Sequence, residues 1–387
     1  MAFDPAAATN TIIDGLGPEA LAESAAYTIG SHWMLLWGVV VSAAVTFVIV
    51  RFGLLDRWYA QLGRLGERSR VFLTCAGFFL ISAILSLPWG IYEEWGRERS
   101  YGHTSQPLGD FLMQDAIGIS VSALLGGLFF LGVYALIRRT GRRWWLWSGG
   151  LAAVAALFML LLAPVLIEPL FNDYKPVPEG PVRDAVVAMA KDAGIPADRI
   201  YVFDGSRQSN NFTANVSGIG TSARIALSDV ALTTASLDEV KAVTGHEIGH
   251  YVLGHVWRWA VLLPLLAIIF FFLADRLYAP AARLFGSSAA LSDARGLPVL
   301  MFVVGVLATL ATPVTNAFVR IGEREADAYS LRTVNLPDAL ASALVKTAEY
   351  RYPRPHPVQE MLFYSHPSVE RRVRAAMEWK AKHPPTP

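Results

Sequence analysis

The sequence predicts a mainly α-helical, polytopic membrane protein with about six transmembrane helices and a small α+β insert. Hydrophobic residues make up 53% of the 387 residues and charged residues only 17%, whereas soluble domains carry about 25% charged residues. The mean hydropathy is +0.39, and long uncharged apolar runs recur along the chain. The net charge of +1 gives no bulk attraction for nucleic acid, so we expect no such partner.

Six apolar runs come close to the length that a helix needs to cross a bilayer, roughly 20 residues. The shortest run is flanked by Trp257 and Trp259, and tryptophan is enriched at membrane interfaces. We divide the chain into an N-terminal membrane domain over 1–170, with four spans, and a second domain over 171–387 that includes two more. The predicted spans are 33–50, 71–92, 116–137, 144–167, 259–274 and 297–319.

Arginine is distributed unevenly among the loops between these spans. Three loops on one face of a six-span protein hold twelve arginines: 51–70, 138–143 and 275–296. The loop 93–115 on the other face holds two. Because Lys and Arg are retained in cytoplasmic loops, the arginine-rich face is predicted to be cytoplasmic. The segments 168–258 and 320–387 would then lie on the opposite side.

The polar segment between the fourth and fifth spans has the pattern of a small α+β unit. Apolar residues recur at helical spacing in 180–193, and alternation predicts strands elsewhere. Ser236 and Glu239 have the spacing of a capping box at the start of a helix. The predicted elements are helices over 180–193, 236–255, 320–350 and 366–382, and strands over 199–203 and 223–228.

The strongest chemical signal is His246-Glu247-Ile-Gly-His250. Residues four apart on a helix lie on one face, so both imidazoles can bind one cation. Glu247 stands beside them, where a carboxylate can accept a proton from a metal-bound water. This pattern predicts that the insert is a zincin-type peptidase unit, which is gluzincin-like if a glutamate supplies the third ligand.

A catalytic zinc site uses three protein ligands and leaves one position open. A third histidine of the long metzincin pattern would stand ten residues after His246, but Val256 occupies that position. On a continuous helix His255 projects away from the metal-binding face, so we expect it to be packed or hydrogen-bonded.

The single cysteine, Cys75, excludes an internal disulfide and is interpreted as a small buried hydrophobic residue.

Carboxylates just after the last predicted span offer a third ligand. Glu323 and Asp327 are four apart and share a helix face. Glu323 could bind the metal while Asp327 accepts a hydrogen bond from a ligating histidine. The alternative is a solvated charge cluster, which we favour for Arg324 and Glu325; for Glu323 the residues alone leave both interpretations open.

Two further features could belong to the same site. His366 and Arg372 could stabilise a developing oxyanion or hold a substrate carboxylate, although the residues alone favour surface roles for both. The segment 211–218 is either an exposed edge strand that holds substrate backbone by strand addition or a plain hairpin.

Together these motifs resemble the integral-membrane zinc metalloproteases that include the type I CAAX prenyl endopeptidase. The stretch 246–255 is similar to the extended metal motif of that family, and 323–327 to its Glu-x-x-Ala-Asp motif. His366-Pro367 and Arg372 match its downstream His-Pro and arginine. The resemblance also covers two upstream stretches: 87–111 and 167–180.

The resemblance implies a chamber enclosed by helices and one Zn²⁺ ion with three protein ligands: His246, His250 and Glu323. It also implies four catalytic side chains: Glu247, Asp327, His366 and Arg372. Glu247 is the base and Asp327 orients a metal ligand. His366 and Arg372 assist the oxyanion or the substrate terminus. The family's edge-strand asparagine aligns by spacing with Thr213, so substrate contacts are assigned to Thr213 and the nearby Asn211 and Asn215.

The predicted function is that of a membrane-embedded zinc metalloendopeptidase whose partners are the lipid bilayer and peptide or protein substrates, membrane-bound or lipidated. The alternatives are a dedicated CAAX prenyl endopeptidase and a non-catalytic membrane scaffold with a structural zinc.

The composition is typical of a bacterial chain, which predicts a location in the inner membrane. The resemblance implies seven spans and a cytoplasmic peptidase face, whereas the residues predict six spans and the opposite face.

Overall fold

Long apolar helices form most of the molecule. The structure, a computed structural model, describes residues 3–384, with the backbone alone at Thr221 and Glu349. Within this range five helical stretches are long and apolar enough to cross a membrane: Gly17–Arg51, Glu67–Ser100, Leu108–Leu170, His255–Phe285 and Ala294–Thr333. The third stretch turns at Gly141, where φ is +53°, and its second half packs back against its first. The six predicted spans therefore correspond to six long helices.

The N-terminal half contains seven of the described helices: α1 Pro5–Asp14, α2 Gly17–Arg51, α3 Leu54–Gln61, α4 Glu67–Gly90, α5 Arg97–Ser100, α6 Leu108–Thr140 and α7 Trp144–Leu162. Large apolar side chains such as Ile84 and Val154 are exposed on their outer surface, as in helices that face lipid. Tyr134 and Trp144 are buried where α6 and α7 pack together with the later spans.

The C-terminal half continues with four strands and eight helices in the described residues: β1 Tyr174–Pro176, α8 Pro181–Asp192, β2 Ile200–Phe203, β3 Ala214–Ser217, β4 Arg224–Ser228, α9 Asp229–Thr234, α10 Leu237–Val252, α11 His255–Phe285, α12 Leu297–Thr333, α13 Pro337–Lys346, α14 Pro357–Phe363 and α15 Val369–Lys382. The strands form one sheet in the order β1-β2-β4-β3. Strands β2 and β4 are parallel and the outer pairs are antiparallel. Strand β3, within the stretch 211–218, is thus an edge strand, and its antiparallel pairing with β4 also makes it one arm of a hairpin.

The metal-motif helix α10 begins as predicted and ends earlier than predicted. Ser236 Oγ accepts from the Glu239 N–H, and Glu239 Oε2 accepts from the Ser236 N–H, so the capping box is confirmed. The prediction that this helix continues through His255 is wrong. Gly254 adopts φ +66°, which glycine tolerates best, and the chain changes direction before α11 begins.

Helix α12 joins the last span to the second half of the candidate site. The predicted helix over 320–350 is wrong in its bounds, because 320–333 continue the span and α13 is separate. Asn335, with φ +54°, and the proline that opens α13 account for the break.

Helices α10 and α12 cross at very short range. A Cβ on Gly249 would lie 3.1 Å from the Ala326 Cα and 3.2 Å from its carbonyl oxygen. About two turns earlier on α10, the Ala242 carbonyl accepts a hydrogen bond from the Ser330 hydroxyl of α12 at 2.6 Å. The glycine of the metal motif therefore permits a backbone contact that a side chain would prevent.

We expect Gly249→Ala to destabilise the protein by about 1–3 kcal/mol, because the added methyl meets rigid backbone and must push the helices apart. Gly305→Ala on α12 is the matched control: its Cβ would meet nothing within 4 Å, so helix propensity should leave stability equal or slightly raised. Thermal unfolding of both variants in detergent measures the difference. Equal stability of Gly249→Ala and wild type would contradict the close-contact account.

Candidate metal centre

Two imidazoles and one carboxylate meet between α10 and α12. The Nε2 atoms of His246 and His250 lie 3.1 Å apart. Glu323 places Oε2 3.4 Å from His246 Nε2 and Oε1 3.3 Å from His250 Nε2. Tetrahedral zinc ligands about 2.1 Å from an ion are roughly 3.4 Å from one another. The three side chains therefore have the spacing that one ion requires.

The Oε2 atom of Glu323 tests independently whether this set fits a metal. The atom is buried and accepts no hydrogen bond from any described residue, although the nitrogens of His246, His366 and Arg372 lie within 3.6 Å of it. A buried oxygen without a partner is destabilising. A cation between the carboxylate and the two imidazoles would satisfy this oxygen, so the residues present fit a divalent metal ion.

Asp327 holds the first imidazole in place. Its Oδ1 lies 2.9 Å from His246 Nδ1, which leaves Nε2 facing the metal position. Arg372 donates to both Asp327 oxygens at 2.7 Å. Although burial opposes a charge on the His246 ring, the carboxylates of Asp327 and Glu323 raise its pKa to about 10. The same negative charges would favour a metal cation beside this ring.

A separate chain of hydrogen bonds holds the second imidazole. His250 Nδ1 lies 2.8 Å from His255 Nδ1, and His255 Nε2 lies 2.9 Å from Glu325 Oε2. Arg258 donates to the same oxygen at 2.6 Å. The expectation that His255 is buried and hydrogen-bonded is confirmed. The side chain of Glu325 is 39% exposed, in agreement with a solvated charge, and the turn at Gly254 also brings His255 to it.

A cavity of about 230 Å³ opens on the candidate metal position. Glu247 lines it together with His246 and Glu323. Burial raises the pKa of Glu247, which brings this carboxyl closer to the range in which a base both accepts and releases a proton near neutral pH.

His366 and Arg372 line the same cavity, so the structure brings both residues to the site. His366 Nε2 lies 3.3 Å from Glu323 Oε2, and its Nδ1 lies 2.9 Å from the Ser365 hydroxyl. Burial, helped by the nearby positive charge of Arg351, lowers the pKa of His366 to about 3. The ring is therefore neutral and can donate one N–H toward the cavity.

Only part of the predicted substrate surface reaches the cavity. Thr213 lines it with Phe212 and Ala214 from the edge strand. Asn211 and Asn215 are not among the described lining residues.

Other lining residues were missed by the sequence analysis: Val243, Leu340, Ala343, Leu344, Thr347, Tyr350 and Arg351. The apolar members belong to ordinary helical patterns, and Arg351 lies in the Tyr-Arg-Tyr-Pro stretch between α13 and α14, which matches no motif. No local signal could have identified them.

We expect His255→Phe to weaken metal binding by about ten- to hundredfold, because the ring is replaced by one of similar size that cannot hydrogen-bond to His250. Glu325→Gln should cause a smaller loss in the same direction. Competition with a chelator of known affinity measures the change in purified protein.

The matched control is Arg324→Ala, whose side chain has no hydrogen bond or ion pair with any described residue. It should bind metal like the wild type. Wild-type affinity in His255→Phe would show that the second chain of hydrogen bonds does not support the site.

Comparison with known proteins gives matches over nearly the whole chain. Residues 6–173 match the CAAX prenyl protease N-terminal family, described as five membrane helices. Residues 176–380 match peptidase family M48.

Individual proteins match over most of their own length as well. "Uncharacterized metalloprotease YhfN" of Bacillus subtilis is 28% identical over 373 residues, which cover 93% of this chain and 86% of the relative. "CAAX prenyl protease 1 homolog" is 27% identical in Arabidopsis thaliana, over 94% of this chain and 89% of the relative, and 27% identical in Homo sapiens, over 94% and 87%.

The crystal structure of S. mikatae Ste24p shares the fold, with a TM-score of 0.76 at 21% identity over 94% of this chain and 90% of that one. The family resemblance predicted from the motifs is thereby confirmed. Since the peptidase profile alone covers more than half of the sequence, the chain belongs to peptidase family M48 and is a membrane metalloprotease.

Proposed function

We propose that this chain is a zinc endopeptidase that cleaves membrane-associated or lipidated peptides and proteins. The observation that carries the proposal is the meeting of His246, His250 and Glu323 at distances that suit one tetrahedral ion. The donor set of two nitrogens and one carboxylate is typical of a catalytic zinc site rather than a structural one. Glu247 lies beside these ligands in an open cavity.

A bound zinc ion would supply Lewis acidity, lowering the pKa of a water and polarising the scissile carbonyl. Glu247 would take the proton of the attacking water and pass it to the leaving amine. The negative charge that develops on the carbonyl oxygen would be stabilised by Arg372 and by His366, whose neutral ring carries one N–H. Asp327 would hold both His246 and Arg372 in position through its two oxygens.

Strand β3 is the proposed site of substrate backbone binding. It is the sheet edge beside the cavity, and edge strands accept an added strand through main-chain hydrogen bonds. Of the three predicted contacts, Thr213 lines the cavity. Asn211 and Asn215 are proposed to contact substrate residues farther along the same edge.

The proximity of the site to the membrane supports a membrane-associated substrate. Helix α12 is a candidate span and also carries Glu323, so the cavity lies next to apolar helices.

We propose a bacterial inner-membrane location and retain the division at 170/171 into a membrane domain and a peptidase domain. The arginine-rich loops support a non-cytoplasmic peptidase face, and the resemblance to eukaryotic enzymes supports a cytoplasmic one.

A dedicated CAAX prenyl endopeptidase is the second candidate, favoured by the names of the Arabidopsis and human relatives. A non-catalytic scaffold with structural zinc is a third. The position of Glu247 in the cavity wall argues against a scaffold, because a structural zinc site has no use for a base.

We expect Glu247→Gln to lower the cleavage rate by about 10²- to 10⁴-fold while the zinc content stays at the wild-type level, because the amide cannot accept the proton. The assay compares a farnesylated peptide with its unprenylated twin. Faster cleavage of the farnesylated form supports the dedicated prenyl endopeptidase, and equal cleavage supports the broader peptidase.

Glu179→Gln is the control, since Glu179 is exposed, does not line the cavity and, among the described residues, pairs only with Arg183. This variant should cleave both peptides like the wild type. Undiminished cleavage by zinc-loaded Glu247→Gln would overturn the assignment of the base.

A further inference from the structure

Arg351 stands between two cavities of the molecule. It lines the active-site cavity together with Glu247, His366 and Arg372. It also lines a neighbouring cavity of about 290 Å³ whose wall includes residues of α2, α12 and the segment before α15. Among the described residues of that second wall, Asn316 is buried and its Nδ2 has no hydrogen-bond partner.

Among the described residues, none of opposite charge pairs with the guanidinium of Arg351. In the part of the chain that the structure describes, it has no carboxylate within 4 Å and no side-chain hydrogen bond; it lies over the Tyr350 ring, with its Cζ 5.6 Å from the ring centroid. The other arginine of the active-site cavity, Arg372, binds both oxygens of Asp327. Arg351 is half-buried, and a buried cation without a partner is destabilising unless something else supplies the anion.

The two arginines of the active-site cavity differ in their surroundings. Arg372 donates to both oxygens of Asp327, and its Nη2 also lies 3.6 Å from Glu323 Oε2. A carboxylate that entered the cavity would therefore meet, in Arg351, a guanidinium that no described carboxylate already contacts.

We infer that Arg351 is a specificity-determining residue that binds a carboxylate of the substrate close to the scissile bond, in the space shared by the two cavities. A guanidinium binds a carboxylate through two parallel hydrogen bonds, and the free Nδ2 of Asn316 offers another donor on the side of the neighbouring cavity. The carboxylate is either the C-terminus of the peptide or an acidic side chain. This inference rests on the proposed peptidase function.

The test measures equilibrium binding in a Glu247→Gln background, where peptides stay intact. Three peptides of one sequence are compared: the free C-terminal acid, its C-terminal amide, and an amide with one glutamate beside the scissile position. With Arg351 present, at least one carboxylate peptide should bind about ten- to hundredfold more tightly than the plain amide. Preference for the free acid identifies the C-terminus, and preference for the glutamate peptide identifies a side chain.

Adding Arg351→Gln should abolish this preference without changing the affinity for the plain amide or the zinc content, and Arg351→Lys should restore part of it. Arg354→Gln is the matched control, because Arg354 lies in the same loop but pairs with Asp14 and Glu370. A preference that survives Arg351→Gln, or no preference with Arg351 present, overturns the inference. Failure of the wild type to cleave any of the peptides is a separate result that counts against the proposed function.

Discussion

The close crossing of α10 and α12 is the constraint on which the candidate site depends. A carboxylate from one helix reaches two imidazoles of the other only if the backbones nearly touch, and Gly249 against Ala326 provides that contact. The metal motif thus has two physical functions. Its histidines supply ligands, and its glycine sets the distance at which Glu323 meets them. Because α12 is also long and apolar enough to cross a membrane, the site is fixed directly to one of the candidate spans.

Each imidazole is held on its outer side by a different carboxylate. Asp327 lies behind His246 and is fixed by Arg372, while Glu325 lies behind His250 through His255 and is fixed by Arg258. In both chains an arginine ends the series of contacts. Such outer contacts orient the ligand rings and raise their basicity. The two series of hydrogen bonds approach from opposite sides of α12, so they restrain the two imidazole rings independently.

Local patterns were enough to predict the spans, the capping box and the histidine pair, because each depends on neighbours within a few turns of helix. The role of Glu323 remained open on the residues alone, since the two imidazoles that it contacts lie on another helix, far away in the sequence. The end of α10 was missed because one glycine in a helical pattern does not show whether it will adopt a positive φ. Arg351 was missed because only the assembled loops bring it to the cavity, where no described carboxylate pairs with it.

His246, His250 and Glu323 are proposed to bind one zinc ion. Anomalous diffraction from crystals of the zinc-loaded protein, recorded on both sides of the zinc absorption edge, tests this proposal most directly. We expect a single strong peak about 2.0–2.2 Å from both Nε2 atoms and from one oxygen of Glu323. Zinc bound elsewhere, with no peak between α10 and α12, would contradict the account.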